Sequence, residues 1–482
     1  MRGVEMVFAS MLFVFCFLTA NLISQLVLKT AKAKNIAMLV FSLIFYSWSG
    51  PRYLFLLLAM VFICWVGALR IQRSPGKKER KRYLVLTIAL CLAILGFFKY
   101  TGFFLSNFQA IFGVPEVIPT IVLPIGISFY TFQLISYVVD VYRREVPAQK
   151  KYWVLLLYAS LFHQCIAGPI VRYQDINQDI RRRKATPAEI SRGISRFTVG
   201  LAKKAILANG CAAIADTFFD VGAEELAAVP ALGILLGAFA FALQIYLDFS
   251  AYSDMAIGMG LMCGFHYKEN FNYPYVSRSI SEFWRRWHIS LGSFFRDYVY
   301  IPLGGNRCTV PRQILNLFVV WFLTGLWHGA SWNYVLWGLY YGLLLGLGRF
   351  VVGDRLSRLP EVVKWLGVLV LVLFGTMIFK FTDLTMLGIA VKGLFGGNGN
   401  GLTGMEVSLT FRNNLFFLLF AAVASTPLGK HLRNILGNLS RRNTACFWVN
   451  AVWEAVHPAA LLILSVMALA GDSYNPFLYF QF

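Results

Sequence analysis

One histidine, His328, lies between two long apolar stretches, in the sequence GLWHGA (325–330). An ionisable side chain at such a position is costly and by default marks a functional site. Because the unperturbed pKa of imidazole is about 6.5, His328 is suited to act as a general base near neutral pH. The neighbouring Gly325 and Gly329 would let a substrate approach the backbone closely. The alternative is a packing histidine that makes one hydrogen bond within a helix bundle.

A second histidine, His288, follows three residues that are suited to bind an anion, Arg285, Arg286 and Trp287. Guanidinium groups bind phosphate bidentately, and aromatic neighbours support that geometry. Arg307, beside a Gly-Gly turn, belongs to the same basic segment. We expect this segment at the cytoplasmic edge of a membrane, where its arginines would either bind phosphate or extend to the membrane surface.

Two aspartates, Asp248 and Asp254, lie in the apolar sequence LDFSAYSDMAIGMGLMCGF (247–265). An unpaired carboxylate would be unfavourable there, so each should face a polar interior or a cation.

Several catalytic motifs are missing from the sequence: a Gly-x-Ser-x-Gly elbow, a P-loop, a dinucleotide fingerprint and a zinc-type spacing. The eight cysteines are scattered, with no Cys-x-x-Cys pair. The sequence therefore disfavours a serine hydrolase, an ATPase and a metalloenzyme, and we expect no metal ligands.

The composition indicates a membrane protein. Of the 482 residues 58% are hydrophobic and only 14% are charged, whereas about a quarter of a soluble protein is charged. The net charge of +21 is explained by basic loops between apolar spans, so we do not expect nucleic acid as a partner.

About a dozen segments are apolar enough to cross a bilayer, which takes roughly 20 residues. They are residues 4–28, 36–49, 53–69, 83–98, 119–139, 194–219, 229–249, 314–326, 332–350, 363–381, 411–428 and 453–470. Two further stretches, 153–171 and 251–276, contain Gly168-Pro169, Asp254 and Pro274, and we expect them to be re-entrant or internal.

The basic residues orient these spans. Of the 44 Lys and Arg residues, 35 lie in seven segments: 29–34, 70–82, 140–152, 172–196, 278–312, 349–364 and 429–443. The positive-inside rule puts all seven in the cytoplasm, where they also contact anionic lipids. The loops at 216–228 and 393–404 would then lie outside.

Six motifs match a known family: LPIGISFYTFQLISYVVDVYR (123–143), AGPIVRY (167–173), YLDFSAYSDMAIGMGLMCGF (246–265), NFNYPY (270–275), SISEFWRRWHISLGSFFRDYVYIPLGGNR (279–307) and GLWHGASWNYVLWG (325–338). The terminal SYNPFLYFQF (473–482) agrees with them. The chain resembles the membrane-bound O-acyltransferases, and within them the bacterial polysaccharide branch that includes the membrane component of alginate O-acetylation. The most specific region is 246–338.

The resemblance implies an all-α membrane bundle, with residues 1–482 forming one acyltransferase domain. It implies transfer of an acetyl group from cytoplasmic acetyl-coenzyme A, a substrate rather than a bound cofactor, to hydroxyls of an extracytoplasmic polysaccharide. A separate extracytoplasmic protein would complete the transfer, and the chain would lie in the bacterial cytoplasmic membrane. The catalytic histidine of the family corresponds to His328, and its second signature histidine to His288.

On this mechanism His328 removes the proton of the acceptor hydroxyl, and hydrogen-bond donors stabilise the oxyanion. Trp327, Trp332 or a backbone N–H near Gly329 are the candidate donors.

Other functions stay open. A transporter of polysaccharide or lipid-linked sugar would share the number of spans, but it would more often show inverted repeats. A purely structural subunit of an export complex would need no histidine at membrane depth. Related branches transfer D-alanine to teichoic acid, so the acceptor is not defined by the sequence.

Overall fold

The computed structural model describes residues 7–48, 50–113, 121–471 and 477, except the side chains of residues 354, 356 and 357. Within these residues the chain is helical and contains no β-strand. The α-helices are α1 (Thr19–Val27), α2 (Ala31–Trp48), α3 (Pro51–Arg73), α4 (Lys77–Phe112), α5 (Ile127–Arg143), α6 (Tyr152–Ser160), α7 (Tyr173–Arg182), α8 (Pro187–Ala202), α9 (Asn209–Phe219), α10 (Ala223–Ala228), α11 (Ala231–Cys263), α12 (Ile280–Arg286), α13 (Ile289–Phe295), α14 (Val310–His328), α15 (Trp332–Leu347), α16 (Glu361–Lys380), α17 (Leu384–Leu394), α18 (Met405–Ala424), α19 (Leu428–Ser440) and α20 (Thr444–Gly471). The π-helical segments are Leu12–Leu18, Lys203–Ala208, Arg296–Tyr300 and Gly348–Val352, and the 3₁₀ turns are Pro274–Val276 and Gly353–Arg358.

Nine helical segments among the described residues are long and apolar enough to cross a membrane. They match nine of the dozen predicted spans, so the all-α membrane class is confirmed. The other three predictions also fall on helices, which are less suited to span alone. The stretch at 4–28 is represented by Leu12–Val27, α2 carries two lysines in its first turn, and α5 has 17 residues. Residues 4–6, 49 and 119–120 of these predictions lie outside the described part of the chain.

The described chain forms two compact units, each built from separate parts of the sequence. The first comprises Met1–Phe197, Tyr252–Glu269 and Arg296–Tyr298, and the second comprises Thr198–Ala251, Asn270–Phe295 and Val299–Phe482.

In the first unit, helix α5 is almost completely buried, including its polar side chains Gln133 and Asp140. The predicted break in 153–171 is confirmed there. Helix α6 ends at Ser160 after nine residues, and the irregular backbone that follows, 161–171, is buried. Irregular backbone persists at membrane depth only where protein or water surrounds it.

The prediction of a broken stretch over 251–276 is wrong for its first half, because α11 continues without interruption to Cys263. Asp254 does not interrupt the helix, since its carboxylate lies 2.8 Å from Arg196. The helix ends instead at Gly264, which has a φ of +76°, a left-handed conformation that glycine adopts without strain.

The second unit contains a large aromatic core. Its fully or nearly buried side chains include Trp287, Trp321, Trp327, Trp337 and Tyr341. Trp287 directly follows α12, and the other four belong to α14 and α15.

Candidate active site

His328 is the last residue of α14, and close packing of two helices fixes its position. A Cβ atom at Gly325 would lie 2.2 Å from the carbonyl oxygen of Tyr334, and one at Gly338 would lie 2.3 Å from that of Trp321. The backbones of α14 and α15 are therefore in direct contact. The expectation that Gly325 and Gly329 accommodate a substrate is wrong, because α15 fills that space: a Cβ at Gly329 would lie 2.2 Å from the Tyr334 ring.

The imidazole of His328 is enclosed by aromatic rings, with 8% of the residue exposed. Its ring centroid lies 5.0 Å from that of Trp327, 4.9 Å from Trp337 and 5.3 Å from Phe379, in edge-to-face arrangements. Aromatic pairs favour this geometry. It holds the imidazole in one orientation within an apolar environment.

His328 lines a cavity in the second unit. The lining residues are Ile245, Asp248, Phe249, Tyr275, Phe283, Trp284, Trp287, His328, Trp337, Tyr341, Val372, Thr376 and Phe379. A mostly apolar cavity with a few polar groups is typical of a site for a small organic substrate.

His288 is buried near this cavity, with 2% of the residue exposed. It connects α12 to α13 with a φ of +43°, and its Nδ1 lies 3.2 Å from the Asn270 Oδ1 atom. Trp327 contacts both histidines, with a centroid distance of 5.8 Å to His288. Burial lowers the pKa of His288 to about 3, so this imidazole is neutral at physiological pH.

His288 is therefore shielded from solvent, although it belongs to the Arg-rich segment that we expect at the cytoplasmic edge. The arginines before it remain at the surface, while the chain turns inward after them because Trp287 and His288 pack into the aromatic core. Phe249, whose ring centroid lies 4.7 Å from that of His288, is one of the rings that enclose it.

Both predicted aspartates are paired with cations, as expected. Asp248 lines the cavity, and its Oδ1 lies 2.7 Å from the Lys204 Nζ atom, with 3% of each side chain exposed. In the first unit, Arg196 binds both Asp254 and Glu269. Asp254 is not among the residues that line the cavity.

Comparisons of the sequence with known proteins identify its relatives. A sequence profile of the membrane-bound O-acyltransferase family matches residues 152–391. A probable alginate O-acetylase, AlgI, from Pseudomonas putida is 37% identical over 99% of this chain and 100% of its own length. The chain belongs to the membrane-bound O-acyltransferase family.

Two further relatives extend the comparison. A peptidoglycan O-acetyltransferase from Helicobacter pylori is 31% identical over 100% of this chain and 98% of its own length. A teichoic acid D-alanyltransferase from Bacillus subtilis is 29% identical over 53% of this chain and 68% of its own length. The chain is thus a membrane acyltransferase, and the profile match includes both histidines of the site.

The arginines predicted to bind phosphate have different environments in this acyltransferase. Arg285 and Arg307 are exposed. The guanidinium group of Arg286 already makes two contacts within the protein: its Nη2 lies 2.8 Å from Glu282 and its Nη1 donates to the Asn272 carbonyl at 3.1 Å. Arg285 and Arg307 therefore have the more accessible guanidinium groups.

The three tryptophans singled out from the sequence occupy distinct positions. Trp287 lines the cavity, where it stacks on Phe283 at 5.5 Å between centroids. Trp327 lies between the two histidines. Trp332 is 51% exposed and is not among the lining residues, which makes it the weaker candidate for an oxyanion donor.

Sequence reasoning missed Trp284, Trp337 and Phe379 as cavity residues, and Lys204 as the partner of Asp248. Lys204 had a usable signal, since it is a cation in the middle of the apolar span 194–219. For the tryptophans the signal was their clustering, since six of the twelve lie in residues 278–342, although tryptophan is expected at membrane interfaces in any case.

Proposed function

We propose that the chain is a membrane O-acetyltransferase that takes an acetyl group from cytoplasmic acetyl-coenzyme A and passes it toward hydroxyls of an extracytoplasmic polysaccharide. The observation that carries the proposal is His328, a buried imidazole in a largely apolar cavity at the end of α14. The names of two relatives that cover essentially the whole chain, an alginate O-acetylase and a peptidoglycan O-acetyltransferase, support acetyl transfer to glycans.

The loops on each face support this direction of transfer. Asn398 and Asn400, in one loop expected outside, donate to the Ala227 carbonyl, in the other, at 3.1 and 2.6 Å. At the expected cytoplasmic face, Arg349 donates to the Oδ1 of Asn306 at 2.9 Å and to the Oε1 of Gln313 at 2.8 Å. Helix α14 therefore runs from the proposed donor face toward the proposed acceptor face and ends at His328.

The chemistry follows from these positions. The hydroxyl oxygen of the acceptor attacks the thioester carbonyl carbon while His328 accepts the hydroxyl proton. A carbon–oxygen bond forms, and the carbonyl electron pair moves onto the oxygen. When the oxyanion collapses, the carbon–sulfur bond breaks, the coenzyme A thiolate leaves, and the proton on His328 is available to neutralise it.

The donor carries several phosphate charges, for which Arg285 and Arg307 are the accessible guanidinium groups. Arg286 and Trp287 complete the proposed donor segment. Because the cavity is small compared with a polymer, we propose that a partner protein on the outer face presents or receives the acetyl group. The proposed location is the cytoplasmic membrane of a bacterium, with anionic lipids around the basic loops.

The test is transfer of labelled acetyl from acetyl-coenzyme A by the full chain in proteoliposomes. Alginate, peptidoglycan and teichoic acid fragments are supplied on the opposite side, with and without a candidate partner protein, and His328→Ala is the control. Transfer to a glycan that depends on His328 supports the proposal. Transfer of D-alanine but not acetyl would assign the chain to teichoic acid modification, and movement of intact glycan without transfer would indicate a transporter.

A further inference from the structure

Trp284 has a buried indole N–H whose Nε1 atom has no hydrogen-bond partner among the described residues. The indole nitrogen can only donate, and a buried donor without an acceptor is disfavoured. Such a group in a native structure requires an explanation, and a bound molecule that accepts the hydrogen bond is the simplest one.

Trp284 lines the same cavity as His328. Its ring is held by three aromatic neighbours, with centroid distances of 4.6 Å to Trp321, 5.4 Å to Trp337 and 4.8 Å to Tyr341. Trp337 also contacts His328 at 4.9 Å. One aromatic side chain thus packs against both the indole donor and the proposed base.

The helix that carries Trp284 is also fixed at its start. Ser279 Oγ accepts a hydrogen bond of 3.0 Å from the backbone N–H of Glu282, which is a standard helix N-cap. The donor therefore needs little reorganisation to meet a ligand, which is what stabilisation of a developing charge requires.

Two hydroxyl groups in the cavity wall already donate hydrogen bonds to backbone carbonyls. The Tyr275 hydroxyl donates to the carbonyl of Ala242. The Thr376 hydroxyl donates to the carbonyl of Leu373 at 2.8 Å. Neither hydroxyl proton is available to a substrate in this arrangement, whereas the Trp284 N–H has no acceptor among the described residues.

We propose that the Trp284 Nε1–H donates a hydrogen bond to the acyl carbonyl oxygen and stabilises that oxygen when it becomes an oxyanion. This inference rests on the proposed acetyltransferase function and adds a catalytic residue to it. The N–H holds the oxygen as the acceptor hydroxyl adds to the carbonyl carbon and releases it when the carbon–sulfur bond breaks. Trp284 neither gives up nor receives a proton in the cycle.

The test removes the N–H donor at position 284 and keeps an aromatic ring there. Trp284→Phe and replacement of Trp284 by benzothienylalanine, which has sulfur in place of N–H, are prepared in the full chain. Trp321→Phe is the matched control, because Trp321 belongs to the same aromatic cluster but is not among the cavity-lining residues. Thermal midpoints, kcat and KM for acetyl-coenzyme A are measured for each protein.

We expect kcat of both Trp284 variants to fall on the order of 10²-fold or more, because removal of one oxyanion donor has that effect. KM and the thermal midpoint should change little, and Trp321→Phe should retain its kcat. Infrared spectra of bound acetyl-coenzyme A labelled at the carbonyl carbon supply a second readout. The carbonyl stretch should move to lower frequency in the wild-type chain and in Trp321→Phe, but not in the Trp284 variants.

A benzothienylalanine variant with kcat within about threefold of the wild-type value and an unchanged carbonyl stretch would overturn the role of Trp284 and leave the proposed function intact. If Trp284→Phe fails to fold, the isosteric benzothienylalanine variant alone tests the role of the Trp284 N–H. Absence of both binding and transfer in the wild-type chain would instead overturn the acetyltransferase function, and with it this role.

Discussion

The ammonium group of Lys204 lies 2.7 Å from the Asp248 carboxylate, and both side chains are almost completely buried. The pair joins the π-helical segment Lys203–Ala208 to helix α11. Because Asp248 also lines the cavity of His328, a charged group reaches the wall of an otherwise apolar site. Segments of π-helix occur frequently at functional sites.

Removing one member of this pair should destabilise the protein strongly. Lys204→Met leaves a buried carboxylate and Asp248→Asn a buried ammonium, and breaking such a pair costs about 3–5 kcal/mol. The double variant should be less destabilised than the sum of the two single variants, because neither charge is then left alone. Thermal unfolding of the purified chain in detergent measures the three midpoints.

An exposed ion pair is the control for this experiment. The Arg278 Nη1 atom lies 2.8 Å from the Glu361 carboxylate, both side chains are exposed, and exposed pairs contribute little to stability. Arg278→Gln should therefore leave the midpoint unchanged. Strictly additive losses in the Lys204 and Asp248 double variant would show that the two charges do not interact.

His328→Ala should reduce acetyl transfer by about 10²-fold or more, because the general base is lost. The chain should still insert and fold, since the other aromatic rings of the cluster remain. His431→Ala is the matched control, because His431 is exposed on α19, and it should retain activity. Near-normal turnover of a well-expressed His328→Ala protein would mean that another residue is the general base, with His288 as the next candidate.

Arg285→Ala should raise KM for acetyl-coenzyme A by about tenfold, which corresponds to about 1.4 kcal/mol from one lost charge-assisted hydrogen bond. Arg286→Ala should have a smaller effect, because Arg286 is shared with Glu282. Arg278→Ala is the control. It removes a positive charge from the same basic segment, but the Arg278 guanidinium is paired with Glu361 at 2.8 Å. Steady-state kinetics at saturating acceptor measure all three. Equal changes for all three variants would indicate a general electrostatic effect rather than a phosphate contact.

Gly338→Ala should reduce both stability and activity. The added Cβ would meet the Trp321 carbonyl oxygen at 2.3 Å, so α15 must move away from α14, and overpacking of this kind costs about 1–3 kcal/mol. A displacement of about 1 Å at His328 would lower kcat by about 10²-fold. Gly346→Ala, on the same helix with 3.8 Å to the nearest atom, should be tolerated. Wild-type kcat in Gly338→Ala would mean that the contact between the two helices does not position the base.

The sequence predicted the membrane class and nine of the spans, because apolar length is a local property that survives folding. It also predicted that Asp248 and Asp254 face a polar interior or a cation, because an unpaired buried carboxylate is unfavourable wherever it lies. It did not predict which cations these are, since Lys204 and Asp248 are separated by 43 intervening residues and meet only through helix packing.

The same reasoning explains why the burial of His288 was not predicted. Arg285 and Arg286 correctly predict a surface position for themselves, but the helix that carries them ends at Arg286. Trp287 and His288 enter the core immediately after the arginines. Neither charge nor hydropathy, averaged over a window, distinguishes adjacent residues with opposite surroundings.

The buried irregular segment after α6 has a consequence for biogenesis. The backbone N–H of Phe162 donates to the Ser42 hydroxyl at 3.2 Å, and His163 Nδ1 lies 3.1 Å from the Tyr267 hydroxyl. Tyr267 is synthesised about a hundred residues after His163. The segment therefore leaves the ribosome before one of its partners exists, so it should wait in a hydrated environment and reach its final depth only after α11 has been inserted.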